Sequence, residues 1–420
     1  MNEKELESMR NSFKTVYNKR KSILDDPSTY ELQERVINIR KEAIQNNDEL
    51  FKIAKESFNE NDIEYCFAKD ETEAKDIIYD IIKKNSKDNN LNIITKSNTL
   101  EDNSNIIAKS KSNTLGEIAI SEFLKSKGFD IVETDLGDRI LQLKGKDNKP
   151  SHPTGPASHL NVEEIAEIVN DSMDENIPPQ REAIVELIKK DVLDKIANAE
   201  IGLSGANAVA CEDGSLVFVH NEGNISLISL MKIHIVVVGI DKLVRTLEDA
   251  ISIAKLETIY ATGTKVTSYI NIVSGPSKTA DIEKKIINGM YGARKVFLII
   301  LDNGRSEAIK SISDSLLCIG CGSCIVTCPV YNVIGNEFGF NNYLGGRGVA
   351  MSRFIKDTKT SFDSGLFKCT LCGLCTVNCP VAIQTNDIIE EIREDSQKKG
   401  FYPKEHGKFR DNIKDKGNPY

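Results

Sequence analysis

Eight of the ten cysteines in this 420-residue chain fall into two short runs in its last quarter. The first run is Cys318-Ile-Gly-Cys321-Gly-Ser-Cys324-Ile-Val-Thr-Cys328-Pro329, and the second is Cys369-Thr-Leu-Cys372-Gly-Leu-Cys375-Thr-Val-Asn-Cys379-Pro380. Both follow C-x2-C-x2-C-x3-C-P, a run that holds 4Fe–4S clusters. Two intervening residues let three thiolates curl around one cubane and aim backbone N–H groups at its sulfides. Gly320, Gly322 and Gly373 relieve crowding where backbone approaches inorganic sulfur. The Cys-Pro pair ends the loop and sends its thiolate elsewhere, and in paired runs the fourth Cys ligates the other cluster. The expectation is two clusters, one on Cys318, Cys321, Cys324 and Cys379, the other on Cys369, Cys372, Cys375 and Cys328. The alternative is a pair of structural zinc sites. Those usually come as two separated C-x2-C pairs, so a third close thiolate followed by Cys-Pro, twice over, argues against them.

Composition narrows the remaining classes. Fifty-four Lys and Arg against 63 Asp and Glu leave a formal charge of −9, without the basic face that nucleic acid requires. The opening Met-Asn-Glu-Lys-Glu-Leu-Glu-Ser is too charged for a signal peptide, and no apolar run is long enough to span a bilayer. Clustered cysteines are also unlike the scattered ones of a secreted disulfide scaffold. These readings together predict a cytoplasmic protein.

Four regions must position the cysteines. Residues 1–60 are charged and helical in period, with Asp26-Pro27-Ser28 as a cap. Residues 61–310 alternate β-rich runs with amphipathic stretches: strands at 106–108, 129–133 and 233–238, and helices at 115–127, 162–169 and 181–196. That alternation predicts an α/β domain with a largely parallel sheet covered on both faces. Residues 311–395 form the cysteine domain. Its long inter-run linker and the helical patterns at 306–317 and 385–397 favour a mostly helical two-cluster ferredoxin type. The linker glycines Gly335, Gly339, Gly345, Gly346 and Gly348 match no phosphate-binding motif and predict a tight wrap around the clusters. The charged tail, 396–420, has few aliphatic residues and is expected to be mobile. An imperfect repeat, 92–100 returning as 105–115, reads as a local duplication whose second copy is structural and whose first is a surface loop. Cys66 and Cys211 read as buried small hydrophobes. His152, His159, His220 and His234 follow no metal spacing.

Several polar motifs fall at strand ends and turns, where an α/β sheet places ligands. Glu222, between Asn221 and Gly223, reads as a carboxylate on a glycine turn. Asp135, Asp302 and Arg305 are candidate pocket lining, and Arg305 is suited to a bidentate bond with a carboxylate substrate. The competing reading makes 302–304 a turn cap and 221–224 a tight loop.

In order along the chain, Asp135-Leu136-Gly137-Asp138-Arg139, Pro150-Ser151-His152, Pro156-Ala157-Ser158-His159, Asn221-Glu222-Gly223-Asn224, Gly239-Ile240-Asp241-Lys242-Leu243-Val244 and Asp302-Asn303-Gly304-Arg305-Ser306 precede the two cysteine runs. This arrangement resembles the lactate-utilisation iron–sulfur protein family (lactate-utilisation protein B), in which a LUD domain is fused to a two-cluster ferredoxin domain. The resemblance covers about residues 35–395. It implies a middle domain of the sugar-phosphate isomerase and CoA-transferase-like (NagB/RpiA-like) fold. It also implies a role in oxidising L-lactate beside two partners, a cysteine-rich-repeat protein and a second LUD-domain protein. Where the family reads Lys-Ser-Met, this chain has Lys111-Ser112-Asn113, and Met231 and Arg245 stand where prolines are usual. Those departures bear on the identity of the small 2-hydroxy acid rather than on the scaffold.

The functional expectation is an electron-transfer subunit of a lactate-oxidising complex. Two other classes compete with it: a general electron carrier whose middle domain docks partners, and a redox-sensing ligand binder. No G-x-G-x-x-G or flavin motif is present, so the chain alone is not expected to be a complete dehydrogenase.

Overall fold

The computed structural model describes residues 1–86, 105–145 and 149–420. Three helices come first, Glu3–Leu24, Pro27–Gln45 and Asn47–Glu60. Asn2 and Glu5 close the first helix with reciprocal side-chain-to-backbone bonds, and Asp26 caps the second ahead of Pro27 at its first position. Their apolar faces, including Met9, Phe13, Val36, Ile44 and Phe58, are fully or almost fully buried.

Between residues 63 and 301 the strands are β1 (Ile63–Ala68), β2 (Ile106–Lys109), β3 (Asp130–Glu133), β4 (Ile201–Ser204), β5 (Ala208–Ala210), β6 (Ser215–His220), β7 (Ile233–Gly239), β8 (Leu243–Val244), β9 (Tyr269–Val273), β10 (Lys278–Thr279), β11 (Ile287–Asn288) and β12 (Lys295–Leu301). Six of them form one sheet in the order β1-β12-β7-β4-β2-β3, every neighbouring pair parallel. Both faces are covered, which is why β7 and β12 read as nearly unbroken apolar runs rather than alternating ones. The chain passes from β2 outward to β3 and then returns to β4 on the other side of β2. That reversal leaves a crevice beyond the carboxyl end of β2, the usual ligand position in such sheets. A second sheet, β8-β5-β6-β9, lies on the same side of the chain's core as the N-terminal helices.

Helix Leu247–Thr262 is sandwiched between that second sheet and the N-terminal helices; Thr246 and Asp249 box its start. The cysteine region is built from short helices, Ser323–Val326, Gly345–Ile355, Leu374–Val377 and Thr385–Lys398. A continuous core runs from the N-terminal helices through the second sheet into this region: Phe13, Val217, Ile259, Ile325 and Ile389 belong to it. Each such side chain contributes about 1.5–3 kcal/mol on burial. Among the described residues no helix is long and apolar enough to cross a membrane.

Several sequence expectations change in detail. The helix expected at 115–127 is two, Asn113–Glu117 and Ile120–Ser126, parted by Ala119 in a left-handed conformation. The one expected at 306–317 is helix Arg305–Ser311 followed by a 3-10 turn, Ser313–Leu317. The charged tail carries helix Lys404–Lys416, whose His406 packs edge-on against Phe367 and whose Gly407 lies beneath Tyr402. Of the duplicated segment, the second copy supplies β2 and the following helix start; the first copy, 92–100, lies outside the described residues.

Candidate functional site

The two cysteine runs have the same local build. In each, a glycine with positive φ, Gly322 or Gly373, starts a single helical turn that carries the third cysteine. Gly322 is also required for close approach, since a Cβ there would lie 2.5 Å from His152 Nε2. Backbone N–H groups turn towards sulfur: Gly320 donates to Cys318 Sγ at 3.3 Å, Tyr331 to Cys328 Sγ at 3.4 Å and Leu371 to Cys369 Sγ at 3.5 Å. The runs are tied together by Ser323, whose hydroxyl donates to the carbonyl of Asn378 at 3.0 Å. All ten cysteines are free thiols.

Burial raises the thiol of Cys379, and the nearby thiol of Cys318 adds to that rise. Burial likewise pushes Cys328 up to about 11, with Cys375 and Cys369 as its sulfur neighbours. Cys321 feels Cys318, Cys379 and Cys324. Cys379 thus has Cys318, Cys321 and Cys324 as sulfur neighbours, and Cys328 has Cys369 and Cys375. Among the described residues no three ligand side chains gather tightly enough for a single metal ion. Eight thiols in two groups, lined by N–H donors and glycine-backed turns, have the donor chemistry that 4Fe–4S cubanes take.

Positive charge surrounds the first group. Arg20 is 1 % exposed; it donates to Ser323 Oγ at 2.7 Å and feels Cys321 and Cys324. Lys242 Nζ donates to the carbonyl of Cys318 at 3.1 Å. Arg40, also 1 % exposed, donates to the carbonyls of Leu317 at 3.1 Å and Asp241 at 2.6 Å. Arg347 lies over the ring of Tyr343 at 5.2 Å and feels Cys318 and Cys324. The second group is more open. Cys372 is exposed, and the cation beside it is Arg393, which donates to the carbonyl of Cys369 at 2.6 Å.

The loop of the first group is also a wall of a cavity. Ile319 and Gly320 line a space of about 240 Å3 together with Lys111, Asp135, Asn207, Glu222, Lys242 and Glu257. This is the crevice beyond β2, smaller than the ~300–1,000 Å3 of drug-sized sites. Lys111 bonds Asp135 Oδ2 at 2.7 Å, while Asp135 Oδ1 caps helix Leu136–Lys144 by accepting from Gly137 and Asp138. Glu222 is exposed as a residue, yet its Oε2 accepts from the N–H of Leu136 at 3.0 Å. Burial of that carboxyl in the cavity wall and the charge of Asp135 push it up to about 7.

Asp302 and Arg305 lie outside the cavity lining. Asp302 Oδ1 accepts from the N–H of Ser306 at 2.7 Å, which is the turn-cap reading. Arg305, expected to face a substrate carboxylate, is 3 % exposed and already committed. It bonds Glu117 through both terminal nitrogens at 2.7 and 2.9 Å and Asp241 through Nε at 2.6 Å. Its fork is filled from within the protein, leaving no face for a ligand.

Sequence reading missed Glu257. It sits on the largely buried helix Leu247–Thr262 at the junction of cavity and cysteine loop; a Cβ on Gly320 would lie 3.4 Å from its Oε1. Asn207 holds it: the Asn207 carbonyl accepts from the N–H of Val219 at 2.9 Å, so its amide must donate to Glu257 Oε2, at 2.8 Å. Burial pushes Glu257 up to about 7, against the opposing pull of Asn207, Lys242 and Lys111. A carboxyl raised in the folded state binds its proton more tightly there than when unfolded. It therefore subtracts stability as pH climbs from about 4.5 towards 7, and the full cost persists above that. Glu257→Gln is expected to melt higher than the parent at pH 8 and level with it at pH 4. Thermal unfolding at the two pH values checks this, and an equal offset at both would contradict it.

Residues 51–301 match the family described as the LUD domain, and residues 314–383 that described as the 4Fe-4S dicluster domain. A protein of Macrococcus caseolyticus named "Lactate utilization protein B" is 34 % identical over 286 residues, covering 68 % of this chain and 58 % of its own length. One of the same name from Geobacillus is 32 % identical over 287 residues, again 68 % and 58 %. An Escherichia coli protein named "Uncharacterized electron transport protein YkgF" is 32 % identical over 297 residues, 70 % of this chain and 60 % of that protein. The chain thus aligns with about three-fifths of the length of these relatives. No solved structure matches it.

Proposed function

We propose, from the premise that this chain belongs to the LUD-domain family and carries a 4Fe-4S dicluster region, that it relays electrons from oxidation of a small 2-hydroxy acid to a partner protein. The names of the relatives point to lactate as the first acid to test. One observation carries the reading: the loop between two first-run cysteines, Ile319 and Gly320, is part of the cavity wall. The first cluster would be held by Cys318, Cys321, Cys324 and Cys379, beside the cavity. The second would be held by Cys369, Cys372, Cys375 and Cys328, with Cys372 at the surface. Each cluster, when bound, accepts one electron at a time.

The chain's own residues supply binding and proton handling. Lys111 and Lys242 bring positive charge to the cavity, suited to a carboxylate anion. Glu222 and Glu257, both raised by burial, hold or release a proton near neutral pH, the range in which a general base is useful. Oxidising a 2-hydroxy acid to the 2-oxo acid removes two electrons and two protons. Two one-electron clusters can carry the pair, but neither accepts a hydride, so the primary acceptor is assigned to a partner subunit.

The test combines the cluster-loaded chain with its partner subunits, adds L-lactate and follows bleaching of the cluster absorbance. Reduction is expected only when the partners are present, and Glu222→Gln is expected to slow it with iron content unchanged. Turnover of roughly 1 s⁻¹ or faster by the isolated chain with an artificial acceptor would overturn the need for partners. The E. coli relative's name specifies electron transport and no substrate. A complex that exchanges electrons with other proteins but ignores 2-hydroxy acids would favour that plainer carrier role.

A further inference from the structure

We propose that Arg20 and Arg347 form a cationic clamp on the first cluster, set its potential, and are completed as hydrogen-bond donors only when it is bound. This rests on the two-cluster reading and goes beyond it by assigning roles to residues outside the cysteine runs.

The argument begins with unmet hydrogen-bonding capacity. A buried polar group without a partner costs about 1–3 kcal/mol, more when charged, so such groups are few and call for an explanation. The Nε atoms of Arg20 and Arg347 are both shut off from solvent and without a partner. Arg20 comes from the first helix and Arg347 from helix Gly345–Ile355, so no shared local geometry accounts for the coincidence. What they share is position, since Arg20 feels Cys321 and Cys324 while Arg347 feels Cys318 and Cys324. The two guanidinium groups flank one set of thiols, and Cys324 is common to both.

Charge balance points the same way. Around the first-run loop stand Arg20, Arg40, Lys242, Arg305 and Arg347, whereas the carboxyl groups facing them are Glu117, Asp241 and, beside Gly320 and Lys242, Glu257. Arg305 and Arg40 are taken up by Glu117 and Asp241, and Lys242 approaches Asp241 at 3.6 Å. Among the described residues Arg20 and Arg347 face no carboxylate within ion-pair distance. Burying unpaired guanidinium groups is costly, and pairing with an anion relieves it. A 4Fe–4S core bound by four thiolates is a dianion that gains a further negative charge on reduction. The clamp supplies the missing counter-charge and stabilises the reduced form more than the oxidised, which raises the potential.

The backbone around Arg347 explains how it reaches this place. Gly348 packs so closely on Tyr343 that a Cβ would lie 1.9 Å from the Tyr343 carbonyl oxygen. This pins the turn and sets the guanidinium over the Tyr343 ring. The ring's hydroxyl is anchored in turn on Glu117 at 2.6 Å. Among the described residues the second group has no such clamp: Arg393 directs Nε and Nη2 to the carbonyls of Leu366 and Cys369.

The test is a potentiometric titration of the anaerobically prepared full chain, followed by electron paramagnetic resonance, on the parent and on Arg347→Gln, Arg347→Lys and Arg20→Gln. Arg347→Gln is expected to keep its iron and to move one of the two couples downward. The reduced-to-oxidised ratio at fixed poise should fall tenfold or more, about 59 mV for one electron. The other couple should stay in place, Arg347→Lys should retain most of the parent value, and Arg20→Gln should move the same couple. Two unmoved couples in Arg347→Gln would overturn the proposal, as would equal movement of both. If Arg347→Gln loads no iron, Arg347→Lys decides: a loaded cluster near the parent potential supports the clamp, and loss of iron there too refutes a role for charge. A parent chain without two couples would instead refute the two-cluster reading, before any variant is made.

Discussion

Cys379→Ser is expected to reproduce the iron loss and spectrum of Cys318→Ser, and Cys328→Ser those of Cys369→Ser. The parent, prepared without oxygen, should carry about eight irons, and each of these variants about four. The pairing comes from the crossed arrangement, in which Cys379 neighbours Cys318 while Cys328 neighbours Cys369 and Cys375. Each run's short helix carries its third cysteine, and the two runs meet where Ser323 bonds the carbonyl of Asn378. Iron analysis with resonance spectra on the four single variants settles the matter. If Cys379→Ser matches Cys369→Ser instead, each run binds its own cluster and the crossing is wrong. Stoichiometric zinc in the parent, with no iron-associated absorption, would remove the clusters altogether.

Arg305→Met is expected to destabilise the folded chain by about 3–5 kcal/mol, the cost of breaking a buried ion network by removing one partner. The side chain of Glu117 is fully buried and that of Asp241 is 4 % exposed, so water cannot replace the lost guanidinium. Asp241 has other cations nearby: against the upward push of burial, Lys242, Arg305 and Arg40 hold it well below the usual carboxylate range. Glu117 depends on Arg305, Tyr343 and Asn303 alone. Arg305→Lys keeps the charge but cannot reach both acids with one ammonium, so it should recover only part of the loss. Denaturant unfolding of the anaerobic protein measures both. An unfolding midpoint for Arg305→Met equal to the parent's would show that the network contributes nothing net, and lactate-dependent reduction retained at that stability would confirm that Arg305 does not touch substrate.

Local chemistry was legible in the amino-acid order, and long-range chemistry was not. The cysteine runs declare themselves because all the information, three close thiols and a stop at Cys-Pro, lies within twelve residues. The α/β alternation was readable for the same reason, since β7 and β12 are apolar runs of strand length. The order β1-β12-β7-β4-β2-β3 is carried by packing between segments as much as 233 residues apart, Ile63 beside Val296, and no single segment encodes it. Arg305 shows the penalty. By itself an Arg beside Asp-Asn-Gly at a strand end suits a ligand, and only the fold reveals that Glu117 and Asp241 occupy it. Glu257 is the opposite case, a charged residue between Leu256 and Thr258 that the sequence reading did not single out. The signal available was that apolar residues surround it on nearly every side of the helix.

The first helix has a consequence for how the chain is made. Its apolar face is covered in part by the cysteine region: Phe13 stacks on Tyr331 at 6.2 Å, Arg10 donates to the carbonyl of Asn332 at 3.3 Å, and Arg20 reaches Ser323. These partners leave the ribosome more than 300 residues later, which at 5–20 residues per second is roughly 15–60 s. For that interval the end of the face around Phe13 lacks its native cover. Closing so wide a loop is slow, and here the far side of the loop is also where iron must be inserted. The helix translated first therefore completes its packing only once the region that holds the clusters has been made, and until then the nascent chain presents part of an apolar stripe uncovered.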